Sequence, residues 1–582
     1  MSILYQKKAQ KRTIIVAFSL VFWLSMLMVR LVQLQVFEHV PSKTVVMSQN
    51  QIEHTIHPKR GTIFDCTGNI LARTIPSQSV YYAPLEGEPY HLQLGKINQL
   101  QKALDLSENE LKKITGRIEK KSTFIWIKRK VGPEEEKKVR TLSLEGIHFL
   151  EENKRFYPKG KLAAHLLGRV DIDQNGATGI EYRYNSELKG KKGKYLILKD
   201  ARKKEYRFDI QKEPEAGKDI ILTIDETIQY YVEKELEKAV HNTGATWGTI
   251  IISQPATGRI LAMANYPTYD LNNLPSNPIP HDRNFAIHHN VEPGSTFKIV
   301  TASTALEEKK VKLNEIINCS EMSVQIGKKV IKDYKRFGFL SFPQVIAFSS
   351  NVGTIQIGQR LDVDRFYAAI RDFGFGQKTG IDLPAEEKGI FKHLDDWEKS
   401  SPVFLSIGYE ILATPIQILQ VLNIIANKGY MITPRVVIKI LDSSKRAKER
   451  LPKRKSIISE KTASKIISIL EMAVAEGTGK EAQLERYKVA GKTGTTQNLD
   501  PSTGSYSTTV HTSSFAGFVP ADDPAISMIV VIAEPEGPYY GGEIAAPVFR
   551  EIASSVLRYL RIPPQRGRPN ILAENRWRQN ER

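Results

Sequence analysis

Glu292-Pro293-Gly294-Ser295-Thr296-Phe297-Lys298 reads as a turn that delivers a serine to the first turn of a helix. Pro293 and Gly294 interrupt the preceding chain, and the apolar run Ile299-Val300-Thr301-Ala302 continues the helix. Ser295 and Lys298 then share one helical face, where their side chains can meet. A serine hydroxyl attacks only when a base takes its proton. Lysine can be that base where burial or a nearby cation lowers its pKa. The helix N-terminus adds partial positive charge where an oxyanion would form. Ser186-Glu187-Leu188-Lys189 has the same spacing, so the tetrapeptide alone is not diagnostic and its surroundings decide.

A serine–lysine enzyme also needs polar groups across a cleft, and a cation and backbone donors for the substrate. Downstream, Ser349-Ser350-Asn351 falls between the apolar segments Val345-Ile346-Ala347-Phe348 and Val352 to Leu361, the tip of a helix–loop–helix. Lys492-Thr493-Gly494-Thr495-Thr496 continues a strand pattern from Tyr487, with Gly494 allowing a ligand close against the strand edge. Strands are expected at His511 to Val519 and Ile526 to Glu534, able to pair with it in an antiparallel sheet, and a helix from about Ala546 to Leu560 closes the domain. Ser48-Gln49-Asn50, Ser107-Glu108-Asn109 and Lys378-Thr379-Gly380 match the same short patterns. The first two precede the nucleophile, and the third runs into the turn Ile381-Asp382-Leu383-Pro384 rather than a long strand.

Upstream of the serine, Ile220 to Asp225 reads as a strand followed by an amphipathic helix to about Val240, the start of a new domain. Trp247 to Ser253 and Arg259 to Ala264 are strands around the turn Pro255-Ala256-Thr257-Gly258. A long loop from Asn265 to Asn290 carries His281, His288 and His289, and no acidic or cysteine cluster completes a metal site there. Between about 38 and 217, Arg60 to Ala72 is hairpin-like, Leu94 to Glu119 is helical with a start near Ser107, Phe124 to Ile127 is a strand and Glu134 to Leu144 a helix. This stretch holds no nucleophile–base pair and reads as a mixed pedestal.

The N-terminus gives an address. Lys7, Lys8, Lys11 and Arg12 precede the uncharged apolar stretch from Thr13 to Val29, about 26 Å of helix at 1.5 Å per residue. Leu31 to Phe37 extends it, with Arg30 reaching to the interface. No small-residue cleavage site follows, which favours an uncleaved anchor over a signal peptide. The basic flank keeps the N-terminus cytoplasmic, so in a bacterium the rest lies outside the membrane. That topology argues against nucleic acid as the partner of a chain of 582 residues with formal charge +19. The basic clusters at Lys189 to Lys204 and Lys445 to Lys455 read first as solvated loops, and second as contacts with anionic lipid or wall polymer. The two cysteines, Cys66 and Cys319, are no disulfide framework.

S-x-x-K, S-x-N and K-T-G in this order is the signature of class A β-lactamases and penicillin-binding proteins. Over almost its whole length the chain resembles the class B penicillin-binding proteins. The stretches that carry it are Arg60-Gly61-Thr62-Ile63-Phe64-Asp65 with Gly68, Tyr157-Pro158 with His165 and Gly168, Gly179-Ile180-Glu181, and Leu222-Thr223-Ile224-Asp225. Glu292 to Ser295 and Ala490 to Thr495 look most like the cell-division FtsI group. It departs from the family at Cys66, where arginine is usual, and at Gln254, where aspartate is common.

The resemblance implies an α+β chain in five parts: a cytoplasmic basic segment 1–12, a transmembrane helix 13–37, a mixed α/β pedestal 38–217, a transpeptidase domain 218–565 with an antiparallel sheet flanked by helices, and a basic tail 566–582. Ser295 is then the nucleophile and Lys298 its base, made neutral by the charge of Lys492. Ser349 relays a proton, Asn351 orients the substrate amide, Lys492, Thr493 and Gly494 bind the terminal carboxylate, and the N–H groups of Ser295 and Thr495 form the oxyanion hole. The implied reaction is D,D-transpeptidation of peptidoglycan stem peptides ending in D-Ala-D-Ala, with β-lactams acylating Ser295 and no metal or cofactor required. The implied partners are an FtsW-like glycosyltransferase and other division membrane proteins. Elongation- or sporulation-type transpeptidases, a D,D-carboxypeptidase or β-lactamase, and a non-catalytic β-lactam sensor remain as alternatives.

Overall fold

The computed structural model describes residues 2–37, 51–199, 205–275, 282–327, 329–442, 447–449, 452–499 and 506–564. His281, the Ser48 motif, parts of both basic clusters and the tail lie outside these residues. The chain forms two compact units. The first comprises Met1–Pro58 and Gly190–Ala216. It contains the helix Ser2–Val32, a π-helical turn Gln33–Phe37, and a three-stranded antiparallel sheet in which Gly193–Lys199 lies between Gln51–Ile56 and Glu205–Lys212. The segment Gln6–Val36 is long and apolar enough to cross a membrane, and its apolar side chains lie on the surface of the protein, as they do in a lipid-facing helix.

The second unit, Lys59–Lys189 and Gly217–Arg582, holds the motif-bearing region and residues 59–189 of the expected pedestal, whereas 38–58 and 190–216 of that pedestal fall in the first unit. A seven-stranded mixed sheet joins them. In it Asp219–Leu222 pairs parallel to Ile63–Phe64 and antiparallel to Val437–Leu441. Beside it, Glu181 is wholly buried between two guanidinium groups, Arg60 Nε at 2.6 Å and Arg155 Nε at 2.6 Å. Arg60 also donates to Asn185 Oδ1 (2.8 Å), and Arg155 to the Gly61 carbonyl (2.7 Å). Each oxygen of this buried carboxylate accepts from one of the two arginines, charge-assisted bonds that offset the cost of burial.

The motif-bearing region is a helix–sheet–helix sandwich. Helix α1 (Glu226–Thr243) starts where Asp225 accepts from the N–H groups of Thr227 (2.9 Å) and Ile228 (3.1 Å), and it stops at Gly244 in the left-handed region. Strands β1 (Trp247–Gln254) and β2 (Arg259–Tyr266) follow. Helices α2 (Lys298–Glu307), α3 (Phe342–Ala347) and α4 (Asn351–Gly358) come next, then β3 (Ala490–Leu499), β4 (Tyr506–Val519), β5 (Ile526–Ala533) and α5 (Gly541–Tyr559). The five strands are antiparallel in the order β2-β1-β5-β4-β3. β5 sits at the centre and is buried at every position, its one polar residue, Ser527, being hydrogen-bonded to Ser253 Oγ at 2.8 Å.

Alternate side chains of the sheet serve two cores. Ile250, Ile252, Met528 and Val530 pack with α1 and α5, whereas Ile251, Ile529 and Val531 pack with the helices of the opposite layer. That layer contains Pro415–Ala426, a largely apolar helix buried at every residue but Asn423, with Gln417 and Gln420 among the buried ones. β3 is the sheet's edge, so its outer backbone groups are open to a ligand. The closing helix begins at Gly541, five residues before the expected Ala546. Gly541, Gly542 and Pro547 read as punctuation, but the first turn is held by tertiary contact: Gly541 N–H donates to Thr495 Oγ1 at 3.0 Å.

Candidate active site

Lys298 opens α2, and Ser295 lies in the 3₁₀ turn Gly294–Phe297 just ahead of it, not in the α-helix itself. The tighter turn still returns the serine to the face that carries the lysine. Gly294 has φ +50°, and a methyl group added to it would meet Thr496 Cγ2 at 2.5 Å, so the turn and β3 close only around glycine. Gly494 answers from the strand, where a methyl would overlap Ser514 Oγ of β4 at 2.3 Å and press on Thr296 Cγ2 at 3.2 Å and the Pro293 carbonyl oxygen at 3.3 Å. The nucleophile turn and the K-T-G strand are thus in direct contact, with Gly294 beside Thr495 and Thr496.

Ser349 stands at the tip between α3 and α4 with φ +61°, a left-handed conformation that turns its side chain into the cleft. Its hydroxyl donates to Ser295 Oγ at 3.0 Å. It accepts from Lys298 Nζ at 3.3 Å and from Lys492 Nζ at 3.0 Å. One donor and two lone pairs are then all used, and Ser349 is the hub of the network. Lys298 Nζ also donates to the Ser349 carbonyl (2.8 Å) and Asn351 Oδ1 (2.6 Å). Lys492 Nζ lies near the Thr493 carbonyl (3.3 Å) and Oγ1 (3.4 Å), and Thr493 Oγ1 pairs with Thr478 Oγ1 at 2.7 Å. The hydrogen-bonded path from Ser295 to its lysine therefore runs through Ser349.

Both lysines are wholly buried, whereas Ser295, Ser349, Asn351 and Thr495 are half-buried and reachable. Burial pushes the Lys298 ammonium down to about 7, partly countered by the negative charge of Asp333. The expected leading cause, repulsion by Lys492, gives way to desolvation. Lys492 is lowered too, by burial and then by the charge of Lys298.

All eight residues expected from the sequence converge here: Ser295, Lys298, Ser349, Asn351, Lys492, Thr493, Gly494 and Thr495. The look-alike motifs do other work. Ser107 caps the helix Glu108–Glu119, Ser186 lies in a short helix, and Thr379 and Gly380 bind the Glu386 carboxylate. His289 remains exposed on the loop surface, with its ring edge-on to Trp247 at 4.5 Å between ring centres.

Sequence reading missed Asp333 and Thr478. Asp333 is buried and accepts from Ser350 Oγ (2.7 Å), Val352 N (3.3 Å) and Asn351 N, while Asn351 Nδ2 donates to the Lys332 carbonyl (2.8 Å). This carboxylate caps the start of α4 and fixes the tip. It comes from a separate hairpin, and no local pattern announces it.

The penicillin-binding protein transpeptidase domain matches residues 248–554, and the penicillin-binding protein dimerisation domain matches residues 55–222. The chain is 34% identical to stage V sporulation protein D of Bacillus subtilis over 88% of this chain and 80% of that protein. It is 31% identical to peptidoglycan D,D-transpeptidase FtsI of Escherichia coli over 88% of this chain and 85% of that one. Penicillin-binding protein 3 of Mycobacterium tuberculosis, solved in complex with aztreonam, superposes with a TM-score of 0.69 at 26% identity, covering 89% of this chain and 99% of that one. With both domains matched and the serine, lysine and K-T-G elements meeting in one cleft, the chain belongs to the class B penicillin-binding proteins, in the group that includes FtsI.

Proposed function

We propose that the chain is a serine-type peptidoglycan D,D-transpeptidase and a target of β-lactam antibiotics. The observation that carries this reading is the single hydroxyl of Ser349, bonded at once to Ser295, Lys298 and Lys492. When Lys298 is neutral, its lone pair can take the Ser349 proton while Ser349 takes that of Ser295. A base with a pKa of about 7 is matched to this task near neutral pH. Ser295 Oγ then bonds to the carbonyl carbon of the penultimate D-alanine. The bond to the terminal D-alanine breaks, and the proton returns through Ser349 to the leaving amine.

The terminal carboxylate lies at Lys492, Thr493 and Gly494, where an anion restores the lysine's charge. Asn351 orients the peptide amide. The N–H groups of Ser295 and Thr495 meet the oxyanion, an interaction of which each donor supplies about 2.7–4 kcal/mol in such sites. The amine of a second stem peptide attacks the ester, giving a cross-link and free Ser295. A β-lactam forms the same ester and stays. Residues 38–217 act as the pedestal and 218–565 as the transpeptidase domain. Residues 13–37 are the anchor, with the N-terminus cytoplasmic, and an FtsW-like polymerase and other division proteins are the membrane partners.

The test is incubation of the full chain with a D-Ala-D-Ala donor and an amine acceptor. Cross-linked product with release of D-alanine is expected, and hydrolysed donor as the sole product would contradict transfer. Septal synthesis is the setting the FtsI likeness supports. The 34% identity to a sporulation protein favours a second setting with the same chemistry. A fluorescent fusion enriched at the septum of vegetative cells supports the first; absence there with appearance only in sporulating cells supports the second.

A further inference from the structure

The strands Ser323–Ile326 and Lys329–Lys332 form an antiparallel hairpin tied to the active-site tip at its downstream end. The Lys332 carbonyl accepts from Asn351 Nδ2, and Asp333 binds Ser350 and the backbone of Asn351 and Val352. Two residues on, Lys335 Nζ lies 5.5, 5.3 and 5.9 Å from the ring centres of Tyr334, Phe337 and Phe348. Phe348 is the residue immediately before Ser349. At the hairpin's other end, Lys329 Nζ lies 5.0 Å from the ring centre of Phe404, in the helix Ser401–Ser406. The chain then reaches Gly408, where a methyl would collide with the carbonyl of Gly294 in the nucleophile turn. The hairpin therefore runs along one wall of the cleft, from the Ser349 tip to the segment behind Ser295.

That wall is cationic without internal compensation. Lys332, Lys335 and Arg336 are exposed, and among the described residues none has an ion-pair partner. The carboxylates on the segment are Glu321, exposed at its start, and Asp333, buried and committed to the tip. Aromatic faces under Lys335 hold its ammonium over the cleft wall instead of leaving it free in solvent. One cation held by aromatic rings and two exposed ones, without ion-pair partners among the described residues and beside the active-site tip, point to an anionic peptide.

Building on the transpeptidase reading, we infer that this hairpin selects the donor peptide by charge. Lys332, Lys335 and Arg336 meet carboxylates on residues upstream of the terminal D-Ala-D-Ala, while Lys492 and Thr493 hold the terminal one.

The experiment uses the full chain in detergent and two synthetic peptide thioester donors, identical except that the upstream carboxylates of one are carboxamides in the other. The rate of acylation of Ser295 is measured for each. The wild type favours the anionic donor by roughly 10-fold at low salt, the size expected of a few solvent-exposed charge pairs. The preference shrinks at high salt, where screening shortens the reach of exposed charges. Combined Lys332→Ala, Lys335→Ala and Arg336→Ala substitution brings the ratio close to one, and Lys335→Arg alone retains it. A thermal melt and labelling of one penicillin per chain show that each variant is folded. Equal rates for the two donors in the wild type, or a preference that survives the triple substitution, overturn the inference and leave the transpeptidase reading intact. Acylation by penicillin but by neither donor overturns both.

Discussion

Burying an ammonium is costly, and this cleft buries two without a carboxylate bonded to either among the described residues. Removed from water, Lys298 gives up its proton near neutrality. The sign for catalysis follows: below about pH 7 the lysine is charged and cannot accept the serine proton, and above it the base is free. Penicillin acylation is expected to rise through pH 7 and level off; a flat profile from about pH 6 to 8 would contradict the role of Lys298. Asp333 raises the Lys298 pKa, so Asp333→Asn is expected to move that midpoint to lower pH. It also slows acylation by about 10-fold, because Asn351 and Ser350 lose their anchor; an unmoved midpoint would show that Asp333 only holds the tip. The serine and lysines were legible in the sequence because their chemistry is encoded in short spacings. Asp333 was not, because it reaches the site from a hairpin whose own residues carry no such pattern. The cause of the lysine's lowered pKa was misjudged for the same reason: burial is a property of the fold.

The turn 294–297, the tip at Ser349 and the edge strand β3 each carry one motif, and their mutual contact makes the site. Gly494 permits that contact. Gly494→Ala is expected to push the strand from the turn and slow acylation by about 100-fold, the size of effect that an ångström of misplacement brings. Near-normal kinetics in that variant would mean that the strand and turn have slack. In the pedestal, Glu181→Ala would leave Arg60 and Arg155 buried without their partner. A loss of about 3–5 kcal/mol, read from urea midpoints, is expected. Strands and helices with clear periodicity were expected close to where they lie, as with β1 and α1. The start of α5 was missed because a glycine pair and a proline mask a turn that only contact with Thr495 explains.

At the scale of the molecule, the anchor-like helix and the catalytic region belong to different compact units. Removal of residues 1–37 is therefore expected to leave a protein in the soluble fraction that still binds one penicillin per chain. Retention on membranes would indicate a second attachment. The order of the three motifs and the apolar N-terminus made the overall plan readable in advance. The seven-stranded sheet was not readable, since it pairs Asp219–Leu222 with strands far away on either side in the chain. The account rests throughout on Ser295 as the nucleophile, and peptide mapping by mass spectrometry after penicillin labelling tests this most directly. One adduct on Ser295, absent in Ser295→Ala, is predicted; an adduct on another residue, or none on the folded chain, would contradict it.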